Sequence, residues 1–208
     1  MSSCCEDKSC AVEALRESQA STLKAVLAIN AVMFVVELAA GLMAGSTALL
    51  SDSLDNLGDA LTYGLSIYAI SKDAKSKAKV ALFKGLLILL AALFVLAQVG
   101  YRALYGTTPI FEAMGVVSLL ALIGNSVCLA LLWKHRTADI NMSSVWECSR
   151  NDIVGNLAVF VAAGLVWFTD GKWPDLAVGL LLSLWLLASS VRVFRSGSSE
   201  LRMTRAVQ

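Results

Sequence analysis

Three carboxylates stand in one apolar stretch, "STALLSDSLDNLGDALTYGLSIYAI" at residues 46–70: Asp52, Asp55 and Asp59. Asp55 and Asp59 are spaced i, i+4, which on a helix puts them on one face. A second pair with that spacing, Cys148 and Asp152, lies in "SSVWECSRNDIVGNLAVFVAAGLVWF", and Ser144 and Gly155 share its arc. Two such pairs on facing antiparallel helices supply four ligands in a tetrahedral arrangement. Zinc and cadmium accept that geometry with carboxylate and thiolate donors. Blander readings compete: a solvated surface helix, carboxylates paired with basic groups on another helix, or a cysteine that only packs, as expected for Cys128. Glu147 and Arg150 fall off the arc and read as a structural pair.

The elements that must position these residues are membrane helices. The chain has 208 residues, 57% hydrophobic and 16% charged, with a mean hydropathy of +0.70. Soluble domains carry about 25% charged residues. A net charge of +1 gives no reason to expect a nucleic-acid partner. No nucleotide loop and no nucleophile–base pair point to an enzyme. Crossing the hydrocarbon takes about 20 residues. Five runs qualify: Leu23–Met43, Val80–Leu104, Met114–Trp133, Leu157–Phe168 and Leu176–Val193, the fourth starting near Ser143 to be long enough. The aspartate stretch is the sixth span. With the N-terminus inside, the basic residues gather in the cytoplasmic segments. Arg102 and Lys172 fall outside, and Lys84 and Arg150 lie just within helices. That is the positive-inside pattern. The expected fold is an all-α membrane protein of six transmembrane helices with cytoplasmic N- and C-termini, at home in a bacterial inner membrane.

At 100° per residue the aspartate stretch is amphipathic. Leu50, Leu54, Leu57, Leu61 and Leu65 fill one arc; Asp52, Asp55, Asn56, Asp59, Thr62 and Ser66 fill the opposite one. A charge at mid-bilayer costs about 2.5–3.5 kcal/mol on insertion scales. The polar arc must therefore face protein or water, with a cation, protons or water to offset that cost.

These motifs resemble the cation diffusion facilitators, six-span metal/proton antiporters. The family's second span reads like "SLALLADALHMLSD", here "STALLSDSLDNLGD"; its fifth span has "HVLGD", here "ECSRND". The likeness extends to "INAVMFVVELAAGLMAGS" with Asn30 and Glu37, to Asn141–Ser144, and to Gly155-Asn156, covering about 23–195. It implies a transport site of Asp55, Asp59, Cys148 and Asp152, with Asp52, Glu37 and Asn156 along the pathway. The family usually has His or Asp at the first and third of the four site positions. Here Asp and Cys stand there, and one thiolate among three carboxylates leans toward softer cargo, zinc or cadmium. The family also carries a cytoplasmic C-terminal metal-binding domain that holds a dimer. Here residues 196–208 are expected to be a short cytoplasmic tail, so any homodimer would form through membrane helices. Asp175, after Pro174, is expected to be structural.

Carboxylates crowded in a low-dielectric cavity hold protons, and a divalent cation displaces them. Alternating exposure turns that competition into exchange, so the expectation is efflux of a divalent metal against protons. No resident cofactor is expected; the partners are the metal, protons and the lipid bilayer. Residues 1–22 form a cytoplasmic tail in which Cys4, Cys5 and Cys10 are candidates for auxiliary metal capture. His135 reads as a surface residue. The rival readings are a soft-metal carrier led by those cysteines and a metal-binding membrane sensor without flux.

Overall fold

Long apolar runs without internal proline can satisfy their backbone groups in lipid only as helices. The computed structural model describes the backbone of residues 3–69, 74–133 and 140–206, and side chains over 20–64, 82–133 (Lys84 excepted) and 150–191. Its six helices are α1 Ser3–Ala44, α2 Thr47–Ala69, α3 Ala74–Tyr105, α4 Phe111–Trp133, α5 Ile140–Thr169 and α6 Trp173–Ala206. Five contain segments long and apolar enough to cross a membrane: Ala20–Ala44, Gly85–Tyr105, Phe111–Trp133, Arg150–Thr169 and Trp173–Val191. The protein is an integral membrane protein. The sixth expected span, α2, is not among the five, because its carboxylates lower its apolarity. Its 23 residues nonetheless make a helix about 35 Å long. α5 does start well before Leu157, at Ile140. The segment bearing Cys4, Cys5 and Cys10 continues the helix of α1, with those side chains outside the described residues; His135 lies outside them altogether.

The helices run alternately up and down, as the contacts at one end show. There the backbone NH of Ile110, before α4, donates to the last carbonyl of α1, Ala44, at 3.0 Å. Lys172, before α6, donates to the carbonyls of Arg102, Ala103 and Gly106 at 2.9–3.1 Å. A cation on the last carbonyls of α3 suits the helix dipole. The chain turns from α1 into α2 at Gly45, whose φ of +71° suits glycine.

Burial puts α2 at the centre. It packs against α1, α3, α5 and α6. Leu50 and Leu54 enter a cluster with Ile88, Ala92, Val95 and Val99 of α3 and Leu176 and Leu186 of α6. The polar arc is covered too, so neither side of α2 meets lipid over 46–54.

The N-terminus of α2 is held from another helix. Ser46 is its N-cap, accepting from the Leu49 NH at 3.1 Å. Asp175 of α6 accepts from the backbone NH groups of Thr47 at 2.8 Å and Ala48 at 3.1 Å, and from the hydroxyls of Ser46 and Thr47. One turn on, Ser51 bonds the Gly179 carbonyl and the Ser183 hydroxyl, each at 2.8 Å. Asp175 is structural, as expected, but it serves α2 rather than its own helix. Gly179 permits the close approach, since a methyl there would stand 2.8 Å from the Thr47 carbonyl carbon.

Gly179→Ala is therefore expected to destabilise the protein by about 1–3 kcal/mol through overpacking. Gly164→Ala, where nothing lies within 4 Å, should leave thermal unfolding in detergent unchanged or slightly raised. Asp175→Ala should cost about 2–3 kcal/mol, because it orphans buried donors at a helix N-terminus.

Candidate metal centre

With its N-terminus fixed by Asp175, α2 presents its polar residues at successive turns between α1 and α5. Asp52 is 2% exposed, Asn56 3% and Asp59 8%, and Glu37 of α1 and Asn156 of α5 are fully buried. Asp55, half-buried, reaches across the seam to α5 and comes within side-chain interaction range of Asp152. Asp59 sits one turn further along, within the same electrostatic field. Asp152 is itself buried, and its backbone carbonyl accepts from the Asn156 amide at 2.7 Å. Of the four expected ligands, Asp55 of α2 thus faces Asp152 of α5, and Asp59 follows Asp55 one turn along α2. Cys148 lies one turn before Asp152 on α5, with its side chain outside the described residues. Among the described residues no three His, Cys, Asp or Glu side chains close on a point as a ready ligand cluster.

Two carboxyl groups share a hydrogen bond only when one carries a proton. A cation placed between them takes over that proton's role. The Asp55–Asp152 contact sets two acid groups of facing helices side by side. It opens onto a cavity of about 320 Å³ lined by Asp55, Asn151, Val154, Gly155, Leu182 and Trp185, among others of α5 and α6. Apart from the Trp185 indole, small and aliphatic residues on the walls leave Asp55 and Asn151 as its polar groups.

The expected pathway residues form a second patch beside this one. The Asn56 amide donates to Glu37 Oε2 at 2.9 Å, and Asp52 packs against α5, where a methyl on Gly155 would stand 3.5 Å from its Oδ1. Two residues were not singled out from sequence. Asn56 stands on the polar arc but had no partner in view before α1 was placed. The Tyr63 hydroxyl donates to Asp59 Oδ2; its position four residues after Asp59 was the available signal. Cys128 is fully buried with Leu23, Val26, Tyr63 and Leu132, as its packing role anticipated, and the Asn30 amide points at its sulfur from 3.8 Å.

The model of the cation efflux transmembrane domain matches residues 23–202. The chain is similar to the metal cation efflux system protein CzcD of Cupriavidus metallidurans, with 28% identity over 194 residues, covering 86% of this chain and 61% of that protein. It is 24% identical over 200 residues to the zinc transporter ZitB of Yersinia pestis, covering 89% of this chain and 64% of that protein. It is 23% identical over 192 residues to a cadmium, cobalt and zinc/H⁺-K⁺ antiporter of Bacillus velezensis, covering 82% and 60% respectively. The chain thus spans about three fifths of the length of these relatives.

Tyr63→Phe keeps the ring and removes only the donor that orients Asp59. It should leave the unfolding midpoint nearly unchanged; were Asp59 the ligand that the sequence suggests, zinc binding in calorimetric titration should weaken about tenfold, the usual scale for a lost ligand-orienting partner.

Proposed function

Because the chain belongs to the cation efflux family, we propose that it moves a divalent metal, zinc or cadmium, out of the cytoplasm in exchange for protons by alternating access. The metal is cargo, held at Asp55, Asp59, Cys148 and Asp152. The observation that carries this reading is the contact between the Asp55 and Asp152 carboxyls of two facing helices, which a proton or a cation can bridge. The names of the relatives support it: one is a zinc transporter, and another is named for cadmium, cobalt and zinc against protons and potassium. In this reading α2 is the sixth crossing. Its 23-residue length and its place among α1, α3, α5 and α6 support that. Both termini are then cytoplasmic, in agreement with the basic-residue distribution, and the membrane is a bacterial inner membrane. A transporter needs no resident cofactor and no catalytic group. Cys4, Cys5 and Cys10 would capture soft metal ahead of the site, and Glu37, Asp52 and Asn156 would line the route beyond it. Any homodimer would pair through membrane helices.

The single thiolate among three carboxylates ranks the cargo. A soft sulfur donor favours cadmium and zinc over manganese. Cys148→Asp would make the set all-oxygen and should shift preference toward manganese.

The test is flux in proteoliposomes with an acidic lumen and metal outside. Zinc or cadmium uptake should follow the proton gradient, and Asp59→Ala should abolish it. Uptake that survives Asp59→Ala would sink the proposal, as would binding without flux. Because metal displaces protons, apparent zinc affinity should fall as pH falls, by about tenfold per unit for each proton displaced.

A further inference from the structure

We propose that Glu37, Asp52 and Asn56 form a second cation station, built from oxygen alone, for the same divalent cargo; this rests on the transport reading above. The three side chains lie where α1 and α2 meet, beside the Asp55–Asp152 seam, on the side nearer the Asp175 cap. From Asp52 to Asp59 is about 10 Å along the helix axis.

Their hydrogen bonding is incomplete. Glu37 and Asp52 are 0% and 2% exposed, yet Glu37 Oε1 and Asp52 Oδ2 accept no hydrogen bond. Among the described residues no basic side chain contacts either carboxyl; the charged groups acting on them are other carboxylates. The Asn56 amide is directed into the patch by its bond to Glu37 Oε2, and its own Oδ1, equally buried, accepts nothing. Buried polar groups are nearly always satisfied, and burying an unpaired carboxylate costs several kcal/mol. Three orphaned oxygens of this kind beside one seam suit a cation.

A route between the stations is present. A cavity of about 10 Å³ touches both Asp52 and Asp55, with Ser51, Leu182, Trp185 and Leu186 completing its wall. That is room for roughly one water-sized occupant. An ion leaving Asp55 toward Asp52 would exchange a sulfur-containing ligand set for oxygen alone. Zinc and cadmium bind such a set less firmly, and conduction needs sites weak enough to leave. The second station would thus take the cargo from the first and let it go.

The test counts manganese, an oxygen-preferring probe, bound to the purified full chain in detergent by the loss of its free-ion paramagnetic resonance signal. Two ions per chain are expected for the wild type, and one for each of Glu37→Gln, Asp52→Asn and Asp59→Ala. The first two are isosteric, and their remaining ion at the Asp59 site reports a folded protein. A manganese count in the wild type that neither Glu37→Gln nor Asp52→Asn lowers would overturn the proposal. So would two ions in Glu37→Gln and Asp52→Asn. Loss of one ion in Glu37→Gln but none in Asp59→Ala would uphold the second station while removing the Asp59 assignment.

Discussion

Carboxylates that must be kept away from lipid govern the arrangement of this protein. An unpaired carboxylate in hydrocarbon costs several kcal/mol, and α2 carries three within eight residues. That helix cannot occupy the rim of the bundle. It is enclosed by α1, α3, α5 and α6: α1, α5 and α6 turn polar or small residues to it, among them Glu37, Asp152, Asn156, Ser183 and Gly179, while α3 meets its leucines. Their lipid-facing sides are left apolar, with Val32, Leu90 and Leu181 exposed.

The two seams of α2 differ in kind. Against α6 it is joined by a carboxylate on its N-terminal NH groups, by paired serines and by a glycine that brings the backbones close. Against α5 the contact is lighter and consists of facing carboxyls. Attraction fixes the first seam. The second sets acid against acid, so whatever lies between them sets the force between the two helices; in the proposed transport reading, that is where helix rearrangement about the site would act.

Much of this was legible in the residues. Helical spacing paired Asp55 with Asp59 and placed Asp152 on α5, and in the structure Asp55 faces Asp152 across the seam. The need for about 20 residues to cross forced α5 to begin before Leu157, and it does. Asp175 read as structural because a carboxylate at a helix start has a local use. Its actual partner, the start of α2, lies some 128 positions away, and no periodicity reports a contact of that range. The wheel split α2 into two arcs without saying what covers the leucines; only the placement of α3 and α6 answers that. Apolarity alone counted five spans where charge alternation called for six, because α2 carries the acids. Asn56 and Tyr63 escaped notice for a related reason. Each acts on an acid already marked as important, and polar partners are recognised only when the neighbouring helix is in place.

The cap that Asp175 places on α2 also bears on how the molecule is made. α2 is made early in synthesis, carrying three acids and an N-terminus whose NH groups find an acceptor on α6. Its leucines likewise rest on α3 and α6, which emerge later. Until α6 arrives, those groups lack their acceptor and α2 rests chiefly against α1 and α3. Closure of the bundle around the acids therefore waits on α6, and a ribosome that stalls before it leaves α2 open to quality control.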